Sequence, residues 1–123
     1  MSDTLEKQIN DWTESFTASS KLLNAMGNET RQYLILKMIK MGDCNGVRVG
    51  VIAAETNLSR PAVSHHLKIM KEAGLIKVHR EETKNYYFFD PETKSLERLI
   101  ETLQLAAEIT KTLPHRCNED NEI

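Results

Sequence analysis

The stretch LSRPAVSHHLKIMKEAGL, from Leu58 to Leu75, decides the fold of this chain. Ser59 is a favoured helix N-cap, Pro61 suits the first helical turn, and Gly74 favours the left-handed conformation that ends a helix. Together these signals predict one helix of about four turns with both ends marked.

This helix has two unlike faces. Val63, Leu67 and Met70 form one apolar stripe at 100° per residue. The opposite face carries Ser64, His65 and Lys68, and such side chains read base edges and phosphates when a helix lies in a major groove. The same pattern is also typical of an ordinary amphipathic helix with a solvated polar face. The flanking segments are needed to distinguish a DNA-recognition helix from such a helix.

The flanking segments favour DNA recognition. Val51–Thr56 is predicted to be a short helix, and Asn57–Ser59 a tight turn into the next helix, as in a helix-turn-helix. Beyond the helix the hydrophobic pattern changes from a helical period to a period of two. Ile76–Arg80 alternates apolar and polar residues, and Tyr86–Phe89 is rich in strand formers, which predicts two strands. The predicted fold is therefore mainly α with a β-hairpin wing, a winged helix-turn-helix.

The segment from Leu58 to Phe89 resembles the winged helix-turn-helix of the ArsR family of bacterial transcriptional repressors. Its Ser-x-His-Leu followed by Ala-Gly-Leu-Ile is the most specific part, and Met26–Arg31 resembles the family's turn before its second helix. The match runs from about Leu22 to Leu113. The resemblance implies a homodimeric repressor that binds a palindromic operator in double-stranded DNA and responds to an inducer, which it does not identify.

The predicted DNA surface is the N-terminal half of the recognition helix together with the wing. The residues from 60 to 84 include six lysines and arginines against three acids, whereas the whole chain has a net charge of −2. Positive charge is thus concentrated where DNA would bind, although Glu81 and Glu82 at the wing tip oppose it. The predicted DNA contacts are Ser59, Arg60, Pro61, Ala62, Ser64, His65, Lys68, His79, Arg80 and Lys84.

Both ends of the chain are predicted to be amphipathic helices. Thr4–Phe16 has one narrow apolar stripe, and a longer leucine-rich stripe recurs from Leu96 to Leu113. The family resemblance implies that the first and last helices form the dimer interface; the alternative is that both pack within one monomer. The predicted interface residues are Leu5, Ile9, Trp12, Phe16, Leu96, Leu99, Ile100, Leu103 and Ala107.

A helix over Glu29–Met41, capped by Asn28, is predicted to lie centrally in the core, because its apolar residues cover much of its circumference. Gly42–Gly50 is rich in glycine and is predicted to be a loop.

A length of 123 residues with 40% hydrophobic residues predicts one globular domain. We divide it into an N-terminal dimerisation helix (1–20), a winged helix-turn-helix core with the C-terminal dimerisation helix (21–113) and a flexible tail (114–123). The sequence shows neither an apolar run of membrane-spanning length nor a signal-peptide pattern, so we expect a cytoplasmic protein without a membrane partner.

No catalytic motif is present, so we predict that the protein is not an enzyme and needs no cofactor. Metal sensing is also not expected. The positions that hold the Cys-x-Cys of the family's arsenic and cadmium sensors fall on Arg48 and Gly50, and the last helix lacks the histidines of its zinc sensors.

Two alternative functions stay open. Cys44 and Cys117 lie roughly where family members that sense persulfide or oxidant keep a thiol pair, which keeps a redox-sensing repressor in consideration. The acidic net charge and acidic wing tip are also compatible with a winged-helix protein-interaction module that does not bind DNA.

Overall fold

The structure is a computed structural model that describes residues 3–42 and 45–113. Its elements, in chain order, are α1 (Asp3–Ala18), α2 (Ser20–Met26), α3 (Glu29–Met41), α4 (Val49–Thr56), α5 (Arg60–Glu72), β1 (Ile76–Glu81), β2 (Lys84–Phe89) and α6 (Thr93–Thr112). The predicted tail and both cysteines lie outside the described residues.

Helix α5 is the predicted recognition helix, and Ser59 and Gly74 mark its two ends as predicted. The Ser59 hydroxyl accepts a hydrogen bond from the Ala62 backbone N–H at 3.2 Å, and Gly74 has a φ of +79° just beyond the helix. Its inner stripe, Val63, Leu67 and Met70, is at most 1% exposed. The helix is therefore fixed by its apolar face, which leaves the polar face outward.

The turn between α4 and α5 completes the helix-turn-helix. Asn57 ends α4 in the left-handed conformation, with a φ of +57°, which asparagine tolerates better than most residues. Helix α4 begins at Val49, two residues before the predicted Val51. The predicted loop before it also contains paired backbone, because Val47 exchanges two 2.8 Å hydrogen bonds with Tyr87 of β2.

The wing is a two-stranded antiparallel hairpin with Ile76 opposite Phe89 and Glu81 opposite Lys84. The strands extend further than predicted, so that only two residues, Glu82 and Thr83, form the turn. Glu82 has a φ of +59°, a conformation that favours glycine.

The core joins the helix-turn-helix to the base of the wing. Its fully buried members include Leu34 of α3, Ile52 of α4 and Leu75 after α5. The prediction that α3 is a central core helix is wrong, because only one side of it is covered by its neighbours. Leu36 and Ile39 on its other side are 58% and 52% exposed.

Helices α1 and α6 pack against each other within one chain. The Trp12 indole N–H donates to the Thr102 carbonyl oxygen at 3.2 Å, and the hydroxyls of Ser15 and Thr102 are hydrogen-bonded. Thr102 is 1% exposed, and Leu5 and Leu99 are also buried. Packing within one chain, the alternative left open by the sequence, thus buries part of the apolar stripe of each helix.

Candidate nucleic-acid interface

The outer face of α5 presents the three polar side chains that the sequence singles out. Ser64, His65 and Lys68 are all exposed. Within the described part of the chain, Ser64 and Lys68 have no side-chain hydrogen bond or ion pair. Their donors and acceptors are therefore available to a ligand that lies along the helix.

The first turn of α5 divides its predicted residues between two roles. The Ser59 hydroxyl is occupied by capping the helix. The Arg60 guanidinium lies over Gly50 of α4, so closely that a Cβ on Gly50 would stand 2.7 Å from Nη2. Pro61 is exposed and Ala62 is half-buried. Gly50 therefore lets Arg60 lie between the two helices of the motif.

The wing carries His79, Arg80 and Lys84 on exposed positions. Arg80 Nε donates to the Glu82 carbonyl oxygen at 3.1 Å, which holds its side chain along the wing tip. Glu82 is itself exposed, so the tip presents charges of both signs.

Arg48 is a basic residue at this surface that the DNA-contact prediction omits. Its guanidinium carbon lies 5.7 Å from the ring centroid of Tyr86 on β2, a cation–π contact that joins the start of α4 to the wing. Arg48 also lines one surface depression with Gly50 and Arg60. The available sequence signal was only a cation in the predicted loop Gly42–Gly50, and the pairing of Val47 with β2 was needed to place it.

A buried arginine supports the recognition helix from behind. Arg31 of α3 is 6% exposed, and its guanidinium donates to the carbonyl oxygens of Asn24 and Ala25, each at 2.9 Å. A cation at the C-terminal end of α2 also interacts favourably with that helix's dipole. Its Nη1 lies 3.3 Å from His66 Nδ1 on α5.

His66 is half-buried, and its ring is hydrogen-bonded to Arg31 of α3. Burial lowers the pKa of His66, and the nearby positive charges of Arg31 and His65 lower it further. Because the Arg31 guanidinium can only donate, a neutral His66 ring accepts this hydrogen bond at Nδ1 and carries its own proton on Nε2.

The predicted dimer residues separate into three groups by burial. Leu5 and Leu99 belong to the interior of the single chain. The others are half-buried (Ile9, Trp12, Leu96) or exposed (Phe16, Ile100, Leu103, Ala107). Ile100 and Leu103 are 48% and 56% exposed, so α6 keeps an uncovered apolar stripe.

Within residues 3–42 and 45–113, no three His, Cys, Asp or Glu residues are grouped so that they could hold a metal ion. In the same ranges, no helix is both long and apolar enough to cross a membrane. The predicted thiol pair, Cys44 and Cys117, lies outside these ranges.

A helix-turn-helix with an exposed polar recognition face, followed by a hairpin bearing cations, defines a winged helix-turn-helix DNA-binding protein. Similarity to known proteins indicates the same class. Residues 30–78 match the family described as bacterial regulatory protein, arsR family. An HTH-type transcriptional regulator of Methanocaldococcus jannaschii is 32% identical over 91 residues, which are 73% of this chain and 99% of that protein.

One further relative and one solved structure are also similar to this chain. The transcriptional repressor SdpR of Bacillus subtilis is 38% identical over 68 residues, which are 55% of this chain and 71% of the repressor. The homodimeric winged helix-turn-helix DNA-binding domain of Mb0332 from Mycobacterium bovis has the same fold, with a TM-score of 0.53 and 19% identity over 94% of this chain and 97% of that one. The chain belongs to the arsR family of bacterial regulatory proteins and is a DNA-binding transcriptional regulator.

Proposed function

We propose that the protein is a transcriptional repressor that binds its operator as a two-fold dimer, each protomer using the first half of α5 and the wing. The observation that carries the proposal is the exposed polar face of α5, on which Ser64 and Lys68 have no partner among the described residues, on a helix whose opposite face is fully buried. A rigidly held helix can present a fixed set of donors and acceptors to base edges.

The contacts divide by chemistry. In this proposal, Ser64 and His65 near the start of α5 contact bases, together with Pro61 and Ala62 as apolar contacts. The side chains that contact phosphates are Lys68, His79, Arg80 and Lys84, and Arg48 and Arg60 extend that cationic surface toward α4. Base contacts give specificity, whereas phosphate contacts give affinity and salt dependence.

Dimerisation is supported by the uncovered stripe of α6. Ile100 and Leu103 are large apolar residues at about half exposure, and a second copy of the same stripe would cover them. The Mycobacterium bovis domain of the same fold is homodimeric. A two-fold dimer predicts a palindromic operator with half-sites about one helical turn apart or a small multiple of that.

The test is to incubate the purified protein with fragmented genomic DNA, sequence the retained fragments and measure affinity for the best one. We expect an imperfect palindrome. Retention without any common sequence, or no retention at low salt, would contradict the proposal and favour a protein-interaction module.

A further inference from the structure

A cavity of about 250 Å³ lies away from the DNA-binding surface, where three parts of the fold meet. Its walls come from the junction of α1 and α2, the C-terminal end of α5 and the first turns of α6. At roughly 30 Å³ per water molecule, this space suits a small metabolite rather than a single ion.

Ser19 is the first indication that the cavity binds something. It lines the cavity and is 3% exposed, yet its hydroxyl oxygen has no hydrogen-bond partner. It is the only such buried side-chain atom among the described residues. A buried hydroxyl without a partner is costly. The Ser19 oxygen is closed to solvent in this conformation, so a ligand in the cavity would supply the missing hydrogen bond once the side chain turns toward it.

The charges around the cavity indicate the class of ligand. Lys21, Lys71 and Arg98 line it, and none of these side chains forms a hydrogen bond or ion pair with another residue of the described ranges. Two acids, Glu72 and Glu92, also line it, and Glu92 accepts a hydrogen bond from the Ser95 hydroxyl at 3.0 Å. The cations outnumber the acids, so the lining favours an anion.

We infer that this cavity is a binding site for a small organic anion, a carboxylate or a phosphate ester, held by Arg98, the two lysines and the Ser19 hydroxyl. Arginine suits this role because its guanidinium forms paired hydrogen bonds with either group.

The position of the site connects it to regulation, an extension that rests on the proposed function. Lys71 belongs to the last turn of the recognition helix and Gly74 lies just beyond it, whereas Arg98 belongs to α6. At 100° per residue, Arg98 lies on the side of α6 opposite Ile100 and Leu103, so a dimer formed through that stripe leaves the cavity open. A bound anion would contact α5 and α6 together and would stabilise the arrangement of these helices that best fits it.

Binding can be tested without DNA. The ¹⁵N-labelled protein is titrated with sodium phosphate and, separately, with sodium succinate, and the backbone amide signals of Ser19, Gly74 and Ser95 are followed by NMR. We expect saturable shifts with at least one anion, and the effective one identifies the ligand class. Shifts that stay linear with both anions would overturn the site.

Matched variants locate the binding. Arg98→Gln should weaken binding about tenfold or more, whereas Lys94→Gln, an equal loss of charge at an exposed position of α6 outside the cavity, should leave it unchanged. Ser19→Ala should weaken binding while raising the melting temperature of the free protein, because it removes an unsatisfied hydroxyl. Equal binding by wild type and Arg98→Gln would overturn the assignment.

Regulation is tested by fluorescence anisotropy on the selected DNA, with and without the effective anion. Added salt weakens DNA binding by all variants alike, so only a change present in wild type and Lys94→Gln but absent in Arg98→Gln supports coupling. Identical changes in all three would overturn it. If wild type binds no DNA, the proposed function fails, while the NMR titration still decides the anion site.

Discussion

Helices α5 and α6 are both amphipathic, but the single chain buries their apolar residues to different extents. The apolar stripe of α5 is completely covered, with Leu67 at 1% exposure. Helix α6 buries Leu99 and Thr102 but leaves Leu103 at 56% exposure. The remaining surface of α5 is polar, whereas that of α6 includes a second apolar stripe.

The difference indicates two kinds of partner. A polar face on a fixed helix suits a hydrated, charged surface such as DNA. An apolar stripe left in water suits another apolar surface, and a second copy of α6 provides one.

Leu67→Ala should lower the free energy of unfolding by about 2–5 kcal/mol, because it leaves a cavity beneath the recognition helix. Leu36→Ala, the same change at 58% exposure on α3, should alter it by less than about 0.5 kcal/mol. Urea denaturation measures both. Similar losses in the two variants would mean that α3 is covered by a partner.

Leu103→Glu should convert the dimer into a folded monomer, since it places a charge in the apolar interface proposed for α6. Leu36→Glu is the matched control and should remain dimeric. Sedimentation or light scattering gives the mass, and circular dichroism confirms folding. A monomeric Leu36→Glu with a dimeric Leu103→Glu would move the interface to α3.

Ser64→Ala or His65→Ala should weaken binding to the selected operator by about 1–3 kcal/mol with little effect on random DNA, because base contacts are lost. Lys68→Ala should weaken both and reduce the salt dependence by about 0.9 counterion per protomer. Affinities measured over a salt series separate these outcomes. Equal losses on both DNAs for Ser64→Ala would remove Ser64 from base recognition.

The smallest effect concerns the support beneath α5. The pKa of His66 is lowered in the folded chain. The His66 ring is therefore protonated more readily in the unfolded chain than in the folded one. The contribution of His66 to the free energy of unfolding should therefore be fully present above pH 6.5 and be lost as the pH drops toward the lowered pKa. His66→Gln should flatten this part of the profile in urea denaturation at several pH values; an unchanged profile would exclude His66 as its cause.

Much of the fold could be predicted because its signals are local. Asn28 and Ser59 cap the helices that follow them, Gly74 ends α5 with a positive φ, and the change to a period of two marks the wing. The exposure of Ser64, His65 and Lys68 also followed from helical periodicity, since the opposite stripe had to be buried.

Caps, turns and periodicity act over a few residues, so the sequence was enough to predict the bounds of α3, the end signals of α5, the wing and the outward face of the recognition helix, whereas α4 and the wing strands are longer than predicted. The tertiary structure decided which apolar stripe of α6 is covered, that α3 is covered on one side only, that Arg31 meets His66 and that Ser19 lines a cavity with Arg98. These features depend on segments that are distant in the chain, and several helices expose more apolar surface than one chain can cover. Only the packing of all the elements determines which apolar faces are buried and which remain available to a partner.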